Sequence, residues 1–107
     1  MTKFISRDGK LYLQSDEGTE YEVLRAWESY SGWYWFGVEV AEERSARDGT
    51  GSVMPDGGVV DDVIWFGYVQ GYEEEWGYFS QAELESMPGR VWRIKKIDLP
   101  FAGRRNG

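Results

Sequence analysis

The sequence predicts an α+β domain, mainly an antiparallel sheet of about five or six strands with one short helix near residues 80–88. Three observations carry this expectation. Trp33 to Val40 (WYWFGVEV) and Val63 to Gly71 (VIWFGYVQG) are dominated by aromatic and β-branched residues, which fit a pleated, half-buried surface. Short alternating runs are separated by glycine-bearing turn segments. Ser80, three residues ahead of Glu83, opens a segment with a helix start signal, and Pro88-Gly89 supplies a stop. At 107 residues the chain has room for a single domain, 1–107.

In chain order, Lys10 to Gln14 (KLYLQ) alternates apolar residues at Leu11 and Leu13 and reads as a first strand, followed by turn residues Ser15 to Gly18. Glu20 to Tyr30 supports two readings. Tyr21, Val23 and Trp27 fit alternation, interrupted at Arg25. Val23, Ala26, Trp27 and Tyr30 fit a helical stripe with Thr19 and Glu22 as a capping box; strand is the preferred reading. In Trp33 to Ala41, extended backbone would put Tyr34, Phe36, Val38 and Val40 on one face and Trp33, Trp35, Gly37 and Glu39 on the other. Residues 44–58 carry glycines, a proline and no periodicity, and read as a mobile loop.

Val63 to Gln70 is apolar on both faces and reads as a central strand. Gly71 to Glu75 turns the chain, Trp76 to Phe79 returns as a hairpin partner, and a helix of about two turns follows from Ser80. Val91 to Ile97 reads as a last strand, with a frayed tail at 102–107. The repeated Trp-Phe-Gly is best explained by two neighbouring strands with a glycine at a crowded crossing, because the flanks of the two copies match too little for a duplication.

The formal charge is −7, and it is polarised along the chain. Residues 1–89 hold 18 acids and 6 bases, net −12; residues 90–107 hold 6 bases and Asp98, net +5. An acidic body repels duplex nucleic acid and anionic membrane and favours basic partners or cations. With no Cys and no His, thiol and imidazole catalysis and zinc sites built on those ligands are excluded, as is a disulfide framework. The first ten residues lack an apolar run of leader length and no apolar stretch is long enough to span a bilayer, so a soluble, cytoplasmic protein with no membrane partner and no cofactor is expected.

Three groups of residues invite a functional reading. Glu73-Glu74-Glu75-Trp76, with Asp61 and Asp62, offers an acidic and aromatic contact for a basic protein; the plain alternatives are a solvated hairpin tip and a pair of turn residues. Arg90, Arg93, Lys95 and Lys96 form the basic cluster, available to nucleic acid or to the body's own acids. Trp33, Trp35 and Trp65 could stack single-stranded bases, but the acids around them favour packing on a sheet face.

The segment FGYVQGYEEEWGYFSQAELES (66–86), with WYWFGVE upstream and IDLPF downstream, resembles a family of short uncharacterised proteins carried by plasmids and phages. The resemblance spans roughly Trp33 to Phe101 outside the glycine-rich loop and departs from the family pattern at Lys96-Ile97-Asp98-Leu99, where an Arg-Asp-Leu step is usual. It implies a mobile-element context and assigns no residue roles. The expectation is a non-enzymatic interaction protein of a mobile element that binds a basic protein, as a nucleic-acid mimic or counter-defence factor. The alternatives are a single-stranded nucleic-acid binder using the basic strand and exposed Trp, and a small carboxylate-based hydrolase.

Overall fold

The computed structural model describes residues 1–45 and 60–102. It is mostly antiparallel sheet with a short α-helix, and the described residues form eight strands in two sheets, where a single sheet of five or six was expected. The smaller sheet runs β1 (Lys3–Arg7), β2 (Lys10–Gln14), β3 (Glu20–Glu22), in that spatial order. β1 is additional to the expected strands. Its signal is Asp8-Gly9, both at positive φ (55° and 74°), the left-handed pair that a tight two-residue hairpin requires.

The larger sheet comprises β4 (Arg25–Ser29), β5 (Tyr34–Ser45), β6 (Val60–Gln70), β7 (Glu74–Ser80) and β8 (Val91–Arg93) in the order β7-β6-β5-β4-β8. Within 20–30 the strand reading, the preferred one, holds for Glu20–Glu22 and Arg25–Ser29, but as two strands in different sheets, with Tyr30 in the turn that follows. Arg44 and Ser45, expected in the loop, end β5; residues 46–58 of that expected loop lie outside the described residues.

The small sheet covers one face of the large one. Leu11, Leu13 and Val23 meet Ala26, Tyr34, Phe36, Val38 and Tyr68, with Phe4, Phe66 and Trp76 packed around them. Full burial of a Leu or Phe side chain contributes about 1.5–3 kcal/mol, and Leu11, Leu13 and Phe36 are fully buried here. On the opposite face Trp27, Trp65, Leu84 and Val91 form a second cluster, joined by Trp35, Val63 and Phe79.

The echoed Trp-Phe-Gly motifs pair directly: Phe36 lies opposite Tyr68 and Gly37 opposite Gly67 in adjacent antiparallel strands. A Cβ on Gly67 would stand 1.8 Å from the Phe36 carbonyl oxygen, and one on Gly37 would stand 2.6 Å from the Trp65 ring. Both glycines are therefore demanded by close approach. Past this crossing the register shifts between Gly37 and Glu39. The extra residue moves Val40 opposite Trp65, leaving it 44% exposed, so Val40 does not share the face of Tyr34, Phe36 and Val38 as strict alternation predicts.

The helix α1 (Gln81–Glu85) is shorter than the two turns expected. Ser80 Oγ accepts from the Glu83 amide at 3.1 Å, as its capping role predicts. The final strand is also shorter than expected: β8 stops at Arg93, and Lys96–Phe101 winds into a 3-10 helix. That winding puts Leu99 and Ala102, three apart, into the main core at the end of the two sheets, which a continued strand would not achieve. Ala102 is buried and so belongs to the fold, unlike the frayed tail expected from 102; residues 103–107 lie outside the described set.

Candidate cation-binding pocket at the hairpin tip

The β6–β7 hairpin carries the acid run, and strand alternation divides it. Glu75 lies opposite Val69 on the face that bears α1, whereas Glu74 lies opposite Gln70 and turns to the other face. There the Tyr68 hydroxyl donates to Glu74 Oε1 at 2.5 Å. Burial, reinforced by that carboxylate, pushes the Tyr68 phenol well above its ordinary pKa and keeps it neutral. Trp76 is half-buried among Tyr21, Phe66 and Tyr68, and its Nε1 donates to Thr2 Oγ1 at 3.2 Å. Glu74 is thus held within the hairpin and Trp76 joins the two sheets, which leaves Glu73 and Glu75 as the outward acids of the run.

Glu73 and Glu75 share a cavity of about 350 Å³ with Trp33, Val69 and Tyr72. Its geometry follows from the strand register. With Tyr34 opposite Gln70, Trp33 falls beside Gly71. A Cβ on Gly71 would stand 2.5 Å from the Trp33 ring, so glycine here lets the indole lie against the hairpin backbone. Tyr72, 94% exposed, meets Trp33 edge to face at 5.3 Å and 80°, and Trp35 lies 5.9 Å behind Trp33. Two carboxylates beside a half-buried indole and an exposed phenol suit a cation, because the ring faces and the carboxylates are both electron-rich. Trp33 and Tyr72 were not among the expected partner-binding residues. The signal was present in the sequence: setting Gly37 against Gly67 places residue 33 against residue 71.

Asp62 has a structural role. Its Oδ1 accepts from the amides of Val63 (2.7 Å) and Ala82 (2.8 Å), and its Oδ2 accepts from Ser80 Oγ at 2.7 Å. It fastens the start of α1 to β6, away from the Glu73–Glu75 pocket. Asp61 is in β6, and its side chain lies outside the described residues.

The basic cluster is dispersed. Arg93 turns toward α1 and donates through Nε and Nη2 to Glu85 Oε2 at 3.0 and 2.5 Å, while Trp27 Nε1 donates to the same oxygen at 3.0 Å. Lys95 and Lys96 lie beyond the strand, so they do not alternate with Arg93 across a sheet, and Arg90 is exposed in the turn before β8. A hollow of about 370 Å³ at this end brings Lys95 and Trp92 together with Glu28, Asp98 and Phe101, a lining of mixed sign. Trp65 is buried, with its Nε1 donating to Gln81 Oε1 at 2.9 Å, so it offers no stacking face.

Partial burial alone would raise the Glu85 carboxyl pKa, but the hydrogen bonds from Trp27 and Arg93 outweigh it and hold the group below the usual range. A depressed carboxylate stabilises the fold above its unfolded pKa, and that contribution disappears as pH falls through the lower folded value. In thermal melts, Glu85→Gln is therefore expected to narrow the loss of stability between about pH 5 and pH 3 relative to the parent. An unchanged acid limb would assign that loss to other carboxylates.

Among the described residues no three acidic side chains converge to hold a metal ion, and no helix is long and apolar enough to cross a membrane. Comparison with protein-family models, curated proteins and solved structures finds no match to this chain.

Proposed function

We propose that this protein is a non-enzymatic binding module that captures a basic protein partner, with a lysine or arginine side chain entering the Trp33–Tyr72–Glu73–Glu75 pocket. The observation that carries the reading is the junction of two outward carboxylates with two aromatic rings around one 350 Å³ cavity. The acidic body, net −12 over residues 1–89, would draw such a partner in and repel nucleic acid. The resemblance to plasmid- and phage-borne proteins fits a mobile-element protein that presents nucleic-acid-like charge to a basic host protein.

Magnitudes limit what the pocket does by itself. A cation–π contact at an exposed site contributes about 0.5–1 kcal/mol. Each exposed ion pair adds about 0.2–1 kcal/mol. Together these give roughly 3 kcal/mol at most, millimolar affinity or weaker. A lysine-rich peptide titrated against the protein is expected to change Trp fluorescence, with affinity falling as salt rises. Glu73→Gln with Glu75→Gln should weaken it about five- to tenfold, the value of two exposed pairs, and Trp33→Ala about two- to fivefold, the value of one exposed cation–π contact. Equal affinity in all three proteins would remove the hairpin from the reading.

A second reading, single-stranded nucleic-acid binding, draws on exposed Trp92 and Phe101 beside Lys95. It requires oligonucleotide quenching at low salt that Trp92→Ala abolishes. The Arg93–Glu85 pairing and the acids Glu28 and Asp98 in the same hollow favour the first reading.

A further inference from the structure

We infer that the partner is captured as an added β-strand: an extended basic segment of the partner protein pairs with the outer edge of β7 while one of its cationic side chains fills the Trp33–Tyr72–Glu73–Glu75 pocket. The inference rests on the function proposed above and names the form in which the partner binds.

β7 is an edge of the five-stranded sheet; β6 pairs along one side, and no described strand pairs along the other. Its seven residues present outward amides and carbonyls at alternate positions, a template for main-chain pairing. The pocket lies at the start of this edge. Glu75, Gly77 and Phe79 lie on the face that bears α1, and Gly77 has open space where a side chain would be, with no atom within 4 Å of a Cβ. On the other face Trp76 and Tyr78 pack beside Phe66, and Tyr78 is 69% exposed. An incoming strand therefore meets Glu75, an open glycine and Phe79 on one face, and Glu74 with the aromatic surface of Trp76 and Tyr78 on the other. The complementary sequence alternates basic with β-branched residues.

Charge complementarity selects this occupant over a second copy of β7. A second β7 edge carries no lysine or arginine to enter the pocket and adds three acids of its own, Glu73, Glu74 and Glu75, to an already acidic surface. Main-chain hydrogen bonds and a covered aromatic face would supply the affinity that one cation in an exposed pocket lacks.

The test uses the full chain and a seven-residue peptide of alternating Lys and Val with blocked ends, beside its fully N-methylated counterpart, which keeps the charges and loses the donors. Strand addition predicts that the N-methylated peptide binds at least tenfold more weakly. It also predicts that the unmodified peptide slows hydrogen exchange at alternate amides within Glu74–Ser80. Equal affinity of the two peptides, without slowed exchange, would overturn strand addition and leave the cation pocket standing. Absence of binding by either peptide would overturn both. Sedimentation showing a dimer that the peptide does not dissociate, with β7 amides protected in the dimer, would assign the edge to a second copy and overturn the inference as well.

Discussion

Gly67→Ala is expected to destabilise the domain by about 3 kcal/mol or more, because overpacking against fixed backbone exceeds the usual cost of an added methyl. The new Cβ would stand 1.8 Å from the Phe36 carbonyl oxygen and 2.8 Å from its carbonyl carbon. Neither is the end of a flexible side chain. Relief requires β5 and β6 to separate at the centre of the large sheet, where Phe36 and Tyr68 pair and both clusters meet. Gly77, one strand over and directly opposite Gly67, is the control. With nothing within 4 Å of its Cβ, Gly77→Ala is expected to be neutral or to stabilise by up to about 1 kcal/mol, through lower entropy of the unfolded chain. Parallel denaturant titrations decide the matter. Equal midpoints for the two variants would mean that the Gly37–Gly67 crossing is looser than its geometry indicates.

Asp62→Ala is expected to cost about 2 kcal/mol, the upper range for a lost helix cap. A loss of that size lowers the melting temperature by roughly 8–16 °C in a domain of this size. Three donors lose one carboxylate, and one of them, the Ala82 amide, belongs to the unsatisfied first turn of α1. With α1 loosened, Leu84 and the Trp27–Glu85–Arg93 link are loosened with it. The informative comparison is with Glu73→Gln and Glu75→Gln. Measured below its melting temperature, the Asp62 variant should bind a lysine-rich peptide as the parent does. The glutamate variants should melt as the parent does and bind less. If Asp62→Ala left stability unchanged and abolished peptide binding, the assignment of Asp62 to the scaffold would be wrong.

The site was half legible from sequence for a specific reason. A run of three glutamates is visible in any chain, but which of them face outward together depends on strand alternation and on what lies across the hairpin. Glu74 is taken by Tyr68 across the hairpin, and Trp76 by Thr2 at the other end of the chain. Asp61 and Asp62 read as turn residues or as part of an acidic surface, and nothing local reveals that Asp62 reaches Ser80 and Ala82. Likewise Arg93 and Lys95 look like one basic face until the chain leaves the sheet after Arg93.

Legible from the chain alone were the strands at 33–41 and 63–70, the hairpin into Trp76–Phe79, the Ser80 cap, and the lack of thiol and imidazole side chains. These are local or compositional properties, read over a few residues. Packing in three dimensions sets the division of the strands into two sheets, the bulge after Gly37 that turns Val40 to the other face, and the arrival of Leu99 in the core by way of a 3-10 helix. It also brings Trp33 and Tyr72 to one cavity with Glu73 and Glu75. Each of these depends on packing between segments distant in the chain, where a one-residue shift in register exchanges the faces of a strand.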